Sequence, residues 1–331
     1  LNQNKQTGKF IISLDFELFW GVRDKRTLGN YGSAIANVHE VVPRLLELFD
    51  AYQVRATFAT VGFLFAKNKQ QIQAYSPKLK PGYKDSNLSP YHDFDGVGED
   101  SKRDLYHYAP DLIEIILQSG KHEIASHTFS HYYCLEEGQT IMEFREDMKS
   151  AIAIAKEHGV EIKSLVFPRN QFKEDYLKVL GELGITSYRG NESIWFHRNE
   201  SEVDTTLLKR IFRTLNCYVN LSGHHCYELG SLAGESTVYN IPSSRFLRPY
   251  SAKLQFLEGL KLNRIKKSMT YTAKNGLAYH IWWHPHNFGT NMEENFTMLE
   301  KILKIYANLN ERYGYQSCTM AEMTNLLKTI N

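Results

Sequence analysis

The 331-residue chain carries a formal charge of only +2, with 42% hydrophobic and 13% aromatic residues. That is enough apolar material for a large buried core, and a charge near zero gives no electrostatic footing for a nucleic-acid partner. No apolar run approaches the roughly 18 residues of a membrane-spanning helix, so no membrane span is expected.

In chain order, "FIISLDFEL" near the N-terminus is an apolar, strand-like run. Residues 34–52 follow a helical apolar period, with a Pro that kinks the helix or marks a boundary. "VRATFATVGFL" (54–64) is rich in β-branched and aromatic residues and predicts a second strand. Residues 67–105 are polar, hold no firm period and read as an inserted loop region with short helices. A helix over 109–120 ends at Gly120, and "HEIASHT" predicts a strand running into a loop. An amphipathic helix at 140–159, a strand at 162–168, a helix at 174–184 and a strand at "ITSYRG" continue the alternation. Residues 198–275 are less periodic and read as a second insertion, after which come a strand at 277–283, a long helix within 293–314 and a final helix. Repeated strand–helix order predicts parallel strands in one elaborated α/β domain spanning 1–331. The basic stretch "LNRIKK" (262–267) reads as a solvated helix face.

Cysteines 134, 217, 226 and 318 include no C-x-x-C pair, which argues against a thiolate zinc site. A Cys217–Cys226 disulfide stays open, although scattered reduced thiols are the simpler reading. The N-terminus "LNQNKQTGKF" lacks the apolar centre of a signal peptide. The expectation is a cytoplasmic protein, with the leading Leu leaving room for a removed upstream segment.

Three clusters carry chemistry. In a strand, residues two apart share a face, so Asp15 and Glu17 project together with Phe16 opposite. Two buried carboxylates require a cation, hydrogen bonds or basic partners. "HEIASHTFSHYY" holds His127 and His131 four residues apart, a spacing that aims two imidazoles at one metal ion. His122, in line with the strand interior, reads as a packing residue. "YHIWWHPHNFG" places His280, His284 and His286 around the end of a late strand, where parallel folds present reactive groups. Phe19, Trp20, Trp282 and Trp283 serve either as core or as stacking platforms beside these clusters.

Taken together, "LDFEL", "RATFATVGF", "GKHEIASHTFSH", "LVFPRNQ", "HIWWHPHNFG" and "GYQSCTMAEM" resemble the polysaccharide deacetylase family, the NodB-homology group of carbohydrate esterase family 4. The resemblance implies a distorted (β/α) barrel with insertions near 67–105 and 198–275. It also implies metal-dependent removal of an acyl group, foremost N-acetyl, from an amino sugar in a polysaccharide, an oligosaccharide or a glycan precursor. Asp15 matches the catalytic base, and His127 and His131 the two imidazole metal ligands. His284 matches the late general acid, with His280 and His286 as lesser candidates. The divalent ion implied is zinc, with cobalt, nickel, manganese or iron as alternatives.

The chain departs from the family pattern in two places. Where the family has two adjacent aspartates, the second position is Phe16, so the ligand role passes to Glu17. The usual R-x-P motif is altered to Phe167-Pro168-Arg169, and Arg169 is expected to pair with Asp15 and orient it. Trp195 is the candidate for the remaining family motif. Related branches of the family suggest a deformylase of lipid-linked formamido sugars or a cyclic-amide hydrolase. Two histidines and a carboxylate also suit Fe(II) for oxygen chemistry. A carbohydrate-binding descendant without turnover is the non-enzymatic alternative.

Overall fold

A computed structural model describes residues 6–92, 94–192, 207–232 and 238–330 of the chain. Its centre is a nine-stranded sheet with strands β1 (Lys9–Phe16), β2 (Thr57–Thr60), β3 (Glu123–Ser126), β4 (Ser164–Leu165), β5 (Ser187–Tyr188), β6 (Tyr239–Asn240), β7 (Arg245–Phe246), β8 (Ala278–Trp283) and β9 (Gln316–Cys318). The order is β6-β5-β4-β3-β2-β1-β8-β7, and β9 pairs with β1. Every pairing among these strands is parallel. The sheet curls into the expected distorted (β/α) barrel of the NodB type, with helices around its outside.

The period-two pattern of β1 explains the layering. Phe10, Ile12, Leu14 and Phe16 face outward into the main core, which extends from Phe10 to Tyr315 and packs against helices such as Val38–Ala51 and Met292–Tyr313. Ile11 faces inward with Ala59, Ala125, Val166 and Ala278, part of a second cluster that also takes in Met320, Met323 and Leu327 of the last helix. Further along the same inward face come Ser13 and Asp15, both buried. The barrel is therefore apolar at its lower end and polar at the C-terminal ends of its strands.

Closure is irregular. β6 and β7 belong to one short segment, 239–246, that bonds to β5 at one end and β8 at the other. Ile241 and Ser243 donate to the carbonyls of Tyr188 and Gly190, and Ser244 and Leu247 donate to those of His280 and Trp282. This segment lies within the stretch expected to be an insertion, and each of its strands is only two residues long. Residues 198–206 and 233–237 of that stretch, and Trp195, lie outside the described residues.

Other expectations shift in detail. The helical period over 34–52 belongs to two helices, Leu28–Ala36 and Val38–Ala51, divided at Asn37 and not at Pro43. Pro43 sits inside the second helix, where it removes a single ladder bond while the Val41, Val42, Leu45 and Phe49 face stays buried. The polar region 67–105 holds the helix Lys69–Tyr75 and three short turns of 3-10 helix. "LNRIKK" is not a wholly solvated face. Arg264 is buried and donates to the side chain of Asn216 at 2.8 Å, while Lys266 and Lys267 are exposed. The four cysteines are free thiols, so Cys217 and Cys226 form no disulfide. No described helix is long and apolar enough to cross a membrane.

Candidate metal centre

Glu17 leaves the end of β1 and turns its carboxylate toward two imidazoles that arrive from the loop after β3. Its Oε2 lies 3.3 Å from His127 Nε2 and 3.1 Å from His131 Nε2. Ligand atoms of the three side chains lie within 4.8 Å of one another, and all three residues are buried. The histidines stand on a compact loop and not on a helix. Thr128 and His131 adopt left-handed φ values of 63° and 58°, a conformation that side-chain-bearing residues hold only when their surroundings enforce it. The enforcement is visible. Asp147, on the helix Ile141–Glu157, accepts from the backbone amides of Phe129 (2.7 Å) and Ser130 (3.2 Å) and from the Ser130 hydroxyl. Thr128 Oγ1 accepts from the amide of Tyr132 at 2.7 Å.

The hydrogen bonds behind the imidazoles decide which nitrogen faces the site. His127 Nδ1 lies 2.8 Å from the Val166 carbonyl, which can only accept, so Nδ1 carries the proton. In the neutral ring Nε2 then presents a lone pair to a carboxylate oxygen 3.3 Å away. Two acceptors at that distance repel unless the ring takes a second proton or a metal ion lies between them. His131 Nδ1 is braced in turn by the Tyr133 hydroxyl at 3.0 Å. This is the outer support that metal-binding histidines use, and two imidazoles with one carboxylate form a donor set suited to zinc with positions left open.

Titration follows burial and charge. Burial opposes ionisation of Glu17, but His284, His127 and His131 outweigh it and hold the carboxyl well below its ordinary range. Burial lowers His131 to about 4, against the pull of Glu17. For Asp15, burial again pushes upward, and Arg189, His127 and His284 together bring the net shift below the ordinary value.

Asp15 sits beside this cluster but is held by a residue that the sequence did not single out. Arg189, immediately after β5, donates from Nη1 to Asp15 Oδ1 at 2.6 Å and from Nη2 to Oδ2 at 2.8 Å. This corrects the expectation for Arg169, which pairs instead with Asp24 and Glu136 and lies over the Tyr133 ring. The signal for Arg189 was its place at the end of "ITSYRG", the end of a parallel strand where reactive groups gather. Glu17 depends equally on Gly21. A Cβ at that position would lie 1.9 Å from the Glu17 carboxyl carbon.

The late histidines separate by role. His284 Nε2 lies 3.7 Å from Asp15 Oδ2 and 3.6 Å from Glu17 Oε1, with its Nδ1 3.3 Å from the Asn287 side-chain oxygen. His286 stacks on it at 4.9 Å, buried, with an Nδ1 that has no hydrogen-bond partner. His280 is turned into the barrel, where its Nε2 meets Ser13 Oγ at 2.7 Å, and burial lowers it to about 3. His122 packs between Phe49 and Phe58.

Asp15, Glu17, His131 and His284 open into a cleft of about 360 Å³ walled by Trp282 and Phe246. Of the four aromatic candidates, only Trp282 lines it. Trp20 is buried with its Nε1 bonded to the His107 carbonyl, Trp283 stacks on Phe288, and Phe19 packs edge-on to His107.

The polysaccharide deacetylase family model matches residues 29–188. No curated protein matches the sequence. Among solved structures, one assigned as a polysaccharide deacetylase of Mycobacterium smegmatis superposes with a TM-score of 0.64 at 15% identity, covering 99% of this chain and 92% of that one. Another, assigned as a polysaccharide deacetylase of Pseudomonas aeruginosa PAO1, gives 0.56 at 12% identity, covering 96% and 89%. The Puue allantoinase gives 0.55 at 14% identity, covering 98% and 91%. At these identities the structural likeness establishes the shared fold.

Proposed function

Since the chain belongs through residues 29–188 to the polysaccharide deacetylase family, we propose that it is a metal-dependent hydrolase. Its reaction would be removal of an acyl group, foremost N-acetyl, from an amino sugar. The observation that carries this reading is the buried cluster of Glu17, His127 and His131, whose ligand atoms lie within 4.8 Å of one another with Asp15 and His284 beside them. Asp15, Glu17 and His284 all fall outside the matched stretch, so their grouping with His127 and His131 is support independent of it.

Glu17, His127 and His131 would hold the divalent ion, with zinc the best match to two nitrogens and one oxygen. Bound there, the ion would acidify water and polarise the acyl carbonyl. The remaining chemistry falls to the chain itself. Asp15 takes the proton of the attacking water, and Arg189 fixes both carboxylate oxygens so that the base keeps one orientation. His284, 3.7 Å from Asp15 Oδ2 and 3.6 Å from Glu17 Oε1, delivers a proton to the leaving nitrogen. Trp282 offers a flat wall for a sugar ring.

The test is acyl release, followed by mass spectrometry, from a panel of N-acetyl, N-formyl and cyclic-amide substrates with zinc-, cobalt- or nickel-loaded protein. Release from acetylated amino sugars is the expected outcome. Sugar binding without release from any substrate would instead mark a carbohydrate-binding protein.

A further inference from the structure

Three cationic side chains line the cleft above the candidate metal centre: Lys25, Arg26 and Arg169. The chain as a whole is nearly neutral, so this is a local concentration. The carboxylates on the floor are already engaged, Asp15 by Arg189 and Glu17 by two imidazoles. Arg169 is answered by Asp24 and Glu136.

Arg26 is different. Its guanidinium lies over the Tyr31 ring, 5.5 Å from the centroid, and among the described residues no carboxylate pairs with it. Tyr31 in turn meets His286 edge-on at 5.6 Å, and His286 Nδ1 lies 3.9 Å from Glu17. One wall of the cleft thus runs unbroken from the metal site to a cation held by an aromatic face.

The segment bearing these cations is fixed close to the site. Lys25 and Arg26 both donate their amides to the Val22 carbonyl, at 2.9 and 2.8 Å, and Arg23 donates to the carbonyl of Asn87 at 2.7 Å. Glu17 leads into the same turn through residues 18–21, so the backbone that carries the cations is continuous with the candidate metal ligand.

Resting on the hydrolase reading above, we infer that the acylated sugar bears an oxyanion, phosphate or carboxylate, which Arg26 binds at the cleft mouth. A planar guanidinium seated on an aromatic ring presents its donors edge-on, the geometry that grips two oxygens of one anion. A neutral amino-sugar polymer would make no use of such charge.

The experiment compares N-acetylglucosamine 1-phosphate, an N-acetylated amino uronic acid and neutral diacetylchitobiose. The wild-type chain and Arg26→Gln are measured both metal-loaded and metal-free. In the loaded wild type, kcat/KM should favour one of the anionic sugars by roughly tenfold or more, a preference that shrinks with added salt and in the variant. The arm that wins tells phosphate from carboxylate. Calorimetry on metal-free protein reads the anion site separately from hydrolysis. Binding of an anionic sugar that persists without metal and is lost in the variant supports the inference even if no substrate is cleaved. Equal kcat/KM for neutral and anionic sugars overturns it and leaves the hydrolase reading standing. Anion binding that requires metal and ignores the substitution also overturns it.

Discussion

Arg189 grips both carboxylate oxygens of Asp15 from across the barrel, at 2.6 and 2.8 Å, with neither residue open to solvent. The grip is itself supported. Arg189 Nη1 also donates to Ser13 Oγ at 2.9 Å, and the Ser13 hydroxyl lies 2.7 Å from His280 Nε2. His280 Nδ1 points at the Ile241 carbonyl at 3.2 Å, which fixes the imidazole so that Nε2 accepts. The donors in this chain run outward from Arg189, to Asp15 on one side and through Ser13 and His280 to the Ile241 carbonyl on the other.

Removing one partner of the pair should be costly. Arg189→Leu leaves a buried carboxylate uncompensated, and urea unfolding should show a loss of about 3–5 kcal/mol. Adding Asp15→Asn to that variant should recover part of the loss, because the orphaned charge disappears. Strictly additive losses would mean that the two side chains are not energetically coupled.

The two carboxylates should fail differently. Asp15→Asn keeps the metal and loses turnover by roughly a hundredfold to ten-thousandfold, the usual range for a missing general base. Glu17→Gln weakens metal binding, and excess metal restores part of its rate. Metal content and rate measured together across a metal titration separate the cases. Rescue of Asp15→Asn by metal would reverse the two assignments.

Gly21→Ala should act as a Glu17 variant without touching Glu17. The new methyl would overlap the carboxylate, so the side chain must leave its place beside His127 and His131. Metal affinity by competition with a chelator should fall at least about tenfold, the scale set by losing support around a ligand. Unchanged affinity would place the metal away from Glu17.

Acid should unmake the pair. The native carboxyl of Asp15 titrates below its ordinary value of 3.8, so between the two values the unfolded chain binds more protons. The stability contributed by the pair is therefore complete above that ordinary value and lost as pH falls through the native one. Metal-free wild-type protein should lose stability more steeply than Asp15→Asn as pH falls below about 4. Equal slopes would remove Asp15 from the acid response.

The sequence was most legible where spacing carries meaning. The outward Phe10, Ile12, Leu14 and Phe16 against the inward Ser13 and Asp15 follow from a period of two, and the structure places His127 and His131 side by side. Arg189 was obscured because its partner lies 174 positions away and only the curvature of the sheet brings β5 opposite β1. Arg169 drew attention through its neighbouring proline, yet a left-handed φ of 54° sends it toward Asp24. β6 and β7 are shorter than any periodic signal. Gly21 is silent in sequence, since what matters there is the volume it leaves for another residue.

The segment at 239–246 spans the seam between β5 and β8 with a handful of backbone bonds instead of a continuous ladder. A cylinder joined so lightly along its circumference keeps its roundness by a tie through the bore, and the Arg189–Asp15 contact is such a tie. The same two side chains thus link the end of β5 to β1 and aim the proposed base. Arg189→Leu, which removes the tie, should change the spacing of strand ends at the rim, whereas Asp15→Asn leaves Arg189 an acceptor. A loss of activity there would report on the shape of the whole vessel as much as on a missing functional group.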